Sequence, residues 1–197
     1  MKILIPMAGE GSRFAKEGYT FPKPLIDVKG KPMIQQVVEN LDFVSEYIFL
    51  VRKKHIEQYA GLVDTLNQIT NNSCKIVEVD SLTEGAACTA LLAKEFIDND
   101  EDLLIANSDQ FIEYQRQNFV SMRNMTNVDA IVWTFNAVHP KWSFVKTNAR
   151  GFITEVAEKK PISDIATCGI YWYRRGSDFV KYAEQMIEKD IRVNNEF

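Results

Sequence analysis

The feature that most limits the possible folds of this chain is its N-terminal stretch, where a short apolar run leads into a segment rich in glycine and proline. Residues Lys2 to Met7 are rich in Ile and Leu, which is typical of a strand buried on both faces of a sheet. Further glycines and prolines then interrupt the chain: Gly9, Gly11, Gly18, Pro22, Pro24, Gly30 and Pro32. We therefore predict an irregular segment from Ala8 to Lys31, with no long helix before about Pro32.

The loop after the first strand is suited to binding an anion. Two glycines spaced G-x-G let backbone N–H groups turn toward phosphate oxygens, because no Cβ stands in the way. Arg13 adds a planar fork of donors that matches phosphate geometry. Lys23 has a proline on each side, and the restricted backbone can aim its ammonium group. An ordinary turn with a surface lysine is the alternative, and the combination of the loop with Arg13 and Lys23 favours a phosphate site.

Two common phosphate-binding motifs do not match this loop. A dinucleotide-binding fingerprint requires G-x-G-x-x-G with a helix that opens on the loop, whereas Phe14 stands at the third glycine position. The Walker motif G-x-x-x-x-G-K-[ST] is absent from the sequence. The segment therefore belongs to a different class of phosphate-binding loop.

Two motifs in this segment resemble the signature of the nucleotidyltransferases that make nucleotide-sugars, also called sugar-phosphate nucleotidyltransferases or pyrophosphorylases. The motifs are MAGEGSR at residues 7–13 and FPKPL at residues 21–25. Their spacing is most similar to that of N-acetylglucosamine-1-phosphate uridylyltransferases, with Ser12 where threonine is more usual. The resemblance implies that Arg13 stabilises the leaving pyrophosphate and that Lys23 bridges toward the α-phosphate. It also implies a triphosphate cradle made by Ala8, Gly9, Gly11 and Ser12.

Length and charge limit the class of protein. A chain of 197 residues is within reach of one domain with a sizeable core, and we predict a single nucleotidyltransferase catalytic domain over residues 1–197. Because catalytic domains of the family usually continue further, we expect the natural chain to extend past Phe197. The net charge of −4 argues against a general nucleic-acid binder. A homo-oligomer remains open.

The sequence predicts a cytoplasmic protein without a membrane anchor. There is no signal peptide, because the glycine loop ends the first apolar run at once, and no apolar run is long enough to cross a bilayer. The cysteines at positions 74, 88 and 168 are widely spaced and form no C-x-x-C motif. We expect them to be reduced thiols with small, buried side chains.

Strand and helix patterns alternate along the rest of the chain. We predict further strands at 25–28, 47–51, 75–79, 103–106, 130–135, 142–147 and 151–156, and helices at 32–41, 55–69, 86–96, 114–125 and 176–188. This alternation is typical of a three-layer Rossmann-like α/β fold, with a mostly parallel sheet, helices on both faces and a small β extension. Ligands bind at the carboxyl ends of such strands. The glycine loop and the loops after Val79 and Ala106 should therefore meet at one edge.

Two details of the helices are also predicted. Tyr182 in the last helix is expected to face inward, together with Phe179, Ala183, Met186 and Ile187. His55 is expected to be a surface residue at a helix start, because nothing near it in sequence would orient it for catalysis.

Asp109 follows an apolar strand and is a hard oxygen donor of the kind that Mg²⁺ prefers. Taken alone it would be an aspartate that caps a turn. It resembles the metal-binding aspartate of the family, and Ser-Asp-Gln at this place differs from the D-x-D of glycosyltransferases of a related fold. The resemblance implies that Asp109 holds Mg²⁺ and that Ser108 contacts the nucleotide. It implies a second metal ligand at Asn194 or Asn195, since Val-Asn-Asn resembles the corresponding segment of the uridylyltransferases.

The segment from Ser81 to Leu91 resembles the base-recognition loop of the family, where a glycine at a helix start packs near the nucleobase. Nucleotide contacts are therefore expected at Thr83, Glu84 and Gly85, although the family more often has a run such as Gln-Gly-Thr. The alternative is a helix whose N-terminus is capped by Thr83.

Candidate acceptor-binding residues lie in the second half of the chain. Glu158-Lys159 resembles a family pair in which the glutamate accepts hydrogen bonds from sugar hydroxyls and the lysine pairs with the sugar phosphate. Thr167 and Gly169 belong to a run that resembles the family's N-T-G strand start, with Thr167 in place of Asn and Cys168 in place of Thr. Ser143 lies in the β extension, which could cover the sugar.

The resemblance implies a magnesium-dependent transfer of NMP from an NTP to a sugar 1-phosphate, with release of pyrophosphate, in nucleotide-sugar and polysaccharide biosynthesis. The attacking phosphate monoester has a second pKa of about 6 and needs no general base. The departures from the family pattern keep open a cytidylyltransferase that acts on a non-sugar phosphorylated compound. A nucleotide-binding regulatory protein without catalysis is a third possibility, which the retention of Arg13, Lys23 and Asp109 disfavours.

Overall fold

The computed structural model describes residues 1–9 and 21–197 of the chain. Its strands are β1 (Lys2–Pro6), β2 (Asp27–Val28), β3 (Lys31–Pro32), β4 (Glu46–Arg52), β5 (Cys74–Val79), β6 (Leu103–Ala106), β7 (Ala130–Asn136), β8 (Ser143–Thr147), β9 (Ile153–Glu158) and β10 (Ile165–Tyr173). Its α-helices are α1 (Met33–Leu41), α2 (Lys53–Gln58), α3 (Leu62–Ile69), α4 (Ala86–Leu91), α5 (Lys94–Ile97), α6 (Arg116–Arg123) and α7 (Gly176–Glu188). A 3-10 helix covers Lys23–Leu25.

The main sheet of the described residues has eight strands in the order β5-β4-β1-β6-β10-β8-β9, with β7 paired to β10. The strands β5, β4, β1 and β6 run parallel. β10 is antiparallel to β6 and carries the extension formed by β7, β8 and β9. The predicted α/β class with a parallel half and a β extension is confirmed, and the extension is larger than the sequence suggested.

Helices cover both faces of the sheet. On one face, the buried side chains of α1, α3 and α6 pack on Ile3 and Ile5 of β1. On the other face, α4, α5 and α7 pack on Leu4 of the same strand. Successive side chains of a strand point to opposite faces, so a run that is apolar at every position is what two covered faces require.

The predicted irregular segment holds for its described parts, 8–9 and 21–31, which contain the 3-10 helix, the two-residue strand β2 and the start of β3. α1 then begins at Met33, and its buried positions Ile34, Val37, Val38 and Leu41 confirm the predicted inward face. In the described residues no helix is long and apolar enough to cross a membrane.

Two helix predictions were wrong in their extent. The helix predicted over 55–69 is divided between α2 and α3, because the chain leaves helical geometry at Tyr59, which has ψ 82°. The helix predicted over 86–96 is likewise divided between α4 and α5. The strand that begins at Leu103 ends at Ala106, and the loop predicted after Ala106 is confirmed.

Three side-chain predictions also require correction. His55 is buried at 8% exposure rather than on the surface, its ring lies edge-on to Tyr59, and burial lowers its pKa. Tyr182 is 60% exposed, because the inward face of α7 is formed by Gly176, Val180 and Ala183. The expected buried thiols are free, but Cys74 and Cys88 are only half-buried.

Candidate functional site

The carboxyl ends of the parallel strands bring the predicted loops together. In the register of the sheet Pro6 is level with Leu50, and Leu4 is level with Ile105. The residues that directly follow β1, β4 and β6 therefore lie side by side at one edge. This arrangement is where ligands bind in open α/β sheets, and it was expected from the strand pattern.

Lys23 and Asp109 meet at this edge. The Nζ of Lys23 donates a hydrogen bond to Oδ2 of Asp109, and the two side chains form an ion pair although 86 residues separate them in sequence. The 3-10 helix begins directly after Pro22, and the N–H of Met33 donates to the carbonyl of Ile26 at 2.9 Å, which fixes this segment to the start of α1. The structure thus holds together a lysine that is expected to bind phosphate and an aspartate that is expected to bind a cation.

The first loop is described only in part. Ala8 is buried at 6% exposure, and no atom of the described residues lies within 4 Å of the position that a Cβ on Gly9 would occupy. Gly11, Ser12 and Arg13 lie outside the described residues, and their expected roles stay predictions.

The end of β6 is packed closely against β10. The N–H of Asn107 donates to the carbonyl of Gly169 at 3.0 Å, and Gly169 has φ +77°. A Cβ at Gly169 would stand 2.6 Å from Cγ of Asn107, so glycine leaves room for that side chain. Ser108 is buried at 9% exposure, whereas its neighbours Asn107 and Asp109 are exposed at the edge.

In the predicted base-recognition loop, Gly85 is the N-cap residue of α4 and has φ +132°. Thr83 does not cap the helix, which corrects the alternative interpretation. Its hydroxyl donates to the carbonyl of Gly85 at 3.0 Å and lies 2.5 Å from the hydroxyl of Thr89. Contacts of the Thr83 hydroxyl with the first turn of α4 therefore hold this loop in place.

A segment from Asp190 to Phe197, the C-terminal strap, crosses this loop. The guanidinium of Arg192 pairs with Glu84 through Nη1 and Oε2 at 2.6 Å, and it stacks on the ring of Phe197 at 3.8 Å. The N–H of Phe197 donates to the carbonyl of Glu84 at 2.7 Å, and the N–H of Ala87 donates to the carbonyl of Phe197 at 3.2 Å. Both the side chain and the carbonyl of Glu84 are thus engaged by the strap.

Several predicted acceptor residues lie together. Ser143 pairs with Glu158 across β8 and β9. Lys159 contacts the carboxylate of Glu158 at 2.9 Å and has φ +52°, a left-handed conformation that turns the chain at the end of β9. Asn194 of the strap donates to the same carboxylate at 3.4 Å. Thr167 is buried at 7% exposure, level with Thr134 of β7.

The candidate metal ligands fit a particular kind of magnesium site. Among the described residues no group of three or more His, Cys, Asp or Glu side chains could hold a metal ion. Asp109 is paired with Lys23, and Asn194 and Asn195 of the strap form a left-handed turn closed by a bridge between Val193 and Glu196. Mg²⁺ is commonly held by one or two carboxylates together with substrate phosphates, and a single carboxylate such as that of Asp109 fits this pattern.

Two of the three cysteines have thiols with a raised pKa. Burial raises the pKa of the Cys168 thiol and, together with the nearby Glu84, that of the Cys88 thiol. A thiol acts as a nucleophile through its thiolate, which a raised pKa disfavours.

Sequence reasoning missed three residues near this site: Arg52, Asn107 and Arg192. Asn107 lies two positions before Asp109, and its position directly after an apolar strand was a signal that pointed to it. Arg192 had no such signal, because its partner Glu84 is distant in sequence. Arg52 ends β4 at the same edge as the glycine loop.

The chain matches the model of the family described as nucleotidyl transferase over residues 2–196. It is 26% identical over 191 residues to the bifunctional protein GlmU of Methanocaldococcus jannaschii, covering 96% of this chain and 42% of that protein. It is 28% identical over 176 residues to GlmU of Methanococcus aeolicus, covering 87% of this chain and 39% of that protein. The chain thus spans less than half the length of these archaeal relatives.

Solved structures agree. The fold superposes on a nucleoside-diphosphate-sugar pyrophosphorylase of Vibrio cholerae with a TM-score of 0.80 and 26% identity, over 99% of this chain and 83% of that chain. A UDP-glucose pyrophosphorylase, at 20% identity and a TM-score of 0.72 over 93% of this chain and 79% of that one, shows the same fold. Since the family model matches residues 2–196, this chain belongs to the nucleotidyl transferase family.

Proposed function

We propose that this chain transfers a nucleotidyl group from an NTP to a phosphorylated small molecule, in the first instance a sugar 1-phosphate, and releases pyrophosphate. The observation that carries the proposal is the pairing of Lys23 with Asp109 at the carboxyl edge of the sheet, in a chain that matches the nucleotidyl transferase family over its length. The Vibrio structure, which is named a nucleoside-diphosphate-sugar pyrophosphorylase, supports the same reaction class.

In this reaction a phosphate oxygen of the acceptor forms a bond to the α-phosphorus of the NTP while the bond from that phosphorus to the bridging oxygen of the β-phosphate breaks. The electron pair of the broken bond leaves with pyrophosphate. Because the attacking phosphate is mostly dianionic near neutral pH, no general base is needed. This agrees with the position of His55, which is buried, has a lowered pKa and is not part of the site.

The main obstacle is the repulsion between two polyanions, so catalysis depends on positioning and on positive charge. Lys23 donates to an α-phosphate oxygen once a ligand draws it from Asp109. Arg13 and the backbone of the glycine loop hold the triphosphate. Lys159 pairs with the acceptor phosphate, and Glu158 accepts hydrogen bonds from its hydroxyls.

Magnesium is the cofactor that we propose for this site. Asp109 would hold it, with an oxygen of Asn194 or Asn195 as a further ligand. When bound, the ion supplies positive charge that neutralises the phosphates. The three free thiols agree with a reducing compartment such as the cytoplasm.

The function is tested by measuring pyrophosphate release from each NTP with Mg²⁺, against a panel of sugar 1-phosphates and non-sugar phosphates. Release with a sugar 1-phosphate supports the proposal and names the base and the sugar. Release only with CTP and a non-sugar phosphate would identify a cytidylyltransferase of the second kind. Measurable NTP binding without release from any pair would contradict an enzymatic role.

Lys23→Ala tests the central residue. We expect turnover to fall by about two to three orders of magnitude, as for the loss of one donor that stabilises developing charge. Stability should change by less than about 1 kcal/mol, because the ion pair is partly exposed. Lys31→Ala is the matched control, since it removes another lysine–carboxylate pair, with Glu39 at 2.7 Å, away from the edge. Near-normal turnover of Lys23→Ala would remove Lys23 from the site.

A further inference from the structure

Arg52, the last residue of β4, is half-buried and has two guanidinium nitrogens that are buried without a hydrogen-bond partner. Its Nε and Nη1 atoms are closed to solvent and make no hydrogen bond, and no other buried side-chain nitrogen or oxygen of the described residues is in this state. The neighbouring Lys53 takes the nearby carboxylate of Asp80 at 3.9 Å. A buried charged donor without an acceptor is unfavourable, so such a group in a native structure requires an explanation.

The position of Arg52 points to the ligand edge. In the register of the sheet Arg52 is level with Val79 of β5, and because Pro6 is level with Leu50, it is also level with Ala8. Arg52 therefore lies between Ala8, which follows β1, and the loop that follows β5.

The alternation of side chains fixes the face on which Arg52 lies. Phe49 and Val51 of β4 belong to the core cluster under α1 and α3, whereas Leu50 belongs to the cluster under α4 and α7. Arg52 shares the second face with Leu50, with its strand partner Val79 and with Ala8. Leu25 of the 3-10 helix packs against the first cluster, so the segment of Lys23 lies on the opposite face.

The distance across the edge separates Arg52 from the phosphate site. Asp109 follows β6, on the far side of β1 from β4. Two strand spacings amount to about 10 Å. If the phosphates of a nucleotide lie at Lys23 and Asp109, as the proposed function requires, the rest of the nucleotide can extend across β1 toward Arg52 and the loop after β5.

We propose that Arg52 binds the base of the nucleotide and selects it by its hydrogen-bond acceptors. A guanidinium presents parallel N–H donors that match two adjacent acceptors, as in its bidentate contact with O6 and N7 of guanine. Cytosine also presents two adjacent acceptors, O2 and N3. Adenine places an amino donor beside N7, and uracil and thymine place an N–H donor beside each carbonyl. The site therefore takes GTP or CTP in preference to ATP, UTP and dTTP. Because the nitrogens are covered, the guanidinium rotates toward the edge when the base enters.

The proposal rests on the proposed function and is tested by binding, so the two can fail separately. Affinities of the wild type and of Arg52→Met are measured by calorimetry, with Mg²⁺, for the five nucleotides and for inorganic pyrophosphate. We expect the wild type to prefer GTP or CTP. Arg52→Met should lose about ten- to a hundred-fold for that nucleotide and change little for pyrophosphate. Arg52→Lys, which keeps the charge without the fork, should not restore the preference.

A thermal unfolding scan separates this role from a structural one. Removal of an unpaired buried charge leaves the melting temperature unchanged or raises it, so Arg52→Met should fold at least as stably as the wild type. Lys53→Gln, next in sequence and exposed, is the control and should leave base preference unchanged. Equal losses for pyrophosphate and all nucleotides would assign Arg52 to a phosphate and overturn the proposal. Unchanged affinities would overturn it as well.

Discussion

Gly85→Ala is the substitution that tests most directly how the C-terminal strap and the base-recognition loop depend on each other. Gly85 has φ +132°, which a residue with a Cβ rarely adopts. A Cβ at this position would stand 2.6 Å from the backbone nitrogen of Phe197 and closer still to its carbonyl oxygen. Backbone atoms cannot rotate away as a side chain can, so either the loop or the strap must move.

The cost can be worked out from the contacts that would be lost. An unfavourable φ costs about 1–3 kcal/mol. The strap would also lose the hydrogen bonds of Phe197 with Glu84 at 2.7 Å and with Ala87 at 3.2 Å, each worth about 0.5–1.5 kcal/mol. These groups regain hydrogen bonds to water when the strap detaches. We therefore expect the free energy of unfolding to fall by about 2–4 kcal/mol, which is the lower part of the range obtained by adding the cost of the unfavourable φ and of the two lost hydrogen bonds.

The assay is urea unfolding combined with hydrogen exchange of the amides in residues 190–197. Gly85→Ala should lower the midpoint and speed exchange in the strap, because the strap is released before the core unfolds. Gly61→Ala is the control, since Gly61 has φ −85° and no atom in the described part of the chain lies within 4 Å of its Cβ position. It should change stability by less than about 1 kcal/mol. If Gly85→Ala matched this control in both measurements, the close packing of Phe197 on Gly85 would be refuted.

Two further predictions concern pH. Burial raises the pKa of Tyr47 and Tyr173 to about 12, from 10.0 in the unfolded chain. Their contribution to stability, roughly 2–3 kcal/mol for each, is therefore complete below pH 10 and is lost as pH rises toward 12. Unfolding experiments across this range should show the loss of stability, and Tyr173→Phe should make that loss smaller. Burial lowers the pKa of His55 below 6.5. The stability that the neutral His55 contributes is therefore complete above pH 6.5 and is lost as the solution becomes more acidic. An NMR titration of the His55 ring in the folded protein that gave a midpoint at or above 6.5 would contradict this.

The strands and their common edge were predictable because they depend on local pattern. An apolar run followed by glycine or a polar loop identifies β1, β5 and β6, and the rule for parallel sheets then places their following loops together. Asp109 could be selected in this way without knowledge of its partner. The ion pair of Asp109 with Lys23 was not predicted, although both residues were expected at the phosphate end of the site.

The errors arose where packing decides and local pattern does not. The apolar spacing of α2 and α3 continues across Ala60 and Gly61, so it predicted one helix although the backbone changes direction there. His55 looked like a surface residue, because its burial depends on the tertiary packing around Tyr59. The contact of Glu84 with Arg192 joins residues more than a hundred positions apart, and no periodicity in the sequence predicts it.

The partial exposure of the Lys23–Asp109 pair agrees with a role in ligand binding. The two side chains are 24% and 30% exposed, and a pair in such surroundings is worth about 1 kcal/mol or less. Breaking a fully buried pair by removing one partner would cost about 3–5 kcal/mol, and a ligand would have to supply that energy before it gained any affinity. A phosphate that takes Lys23 and a cation that takes Asp109 replace this weak contact with two charge-assisted ones. The pair therefore holds both residues in place at the edge without competing strongly with the nucleotide.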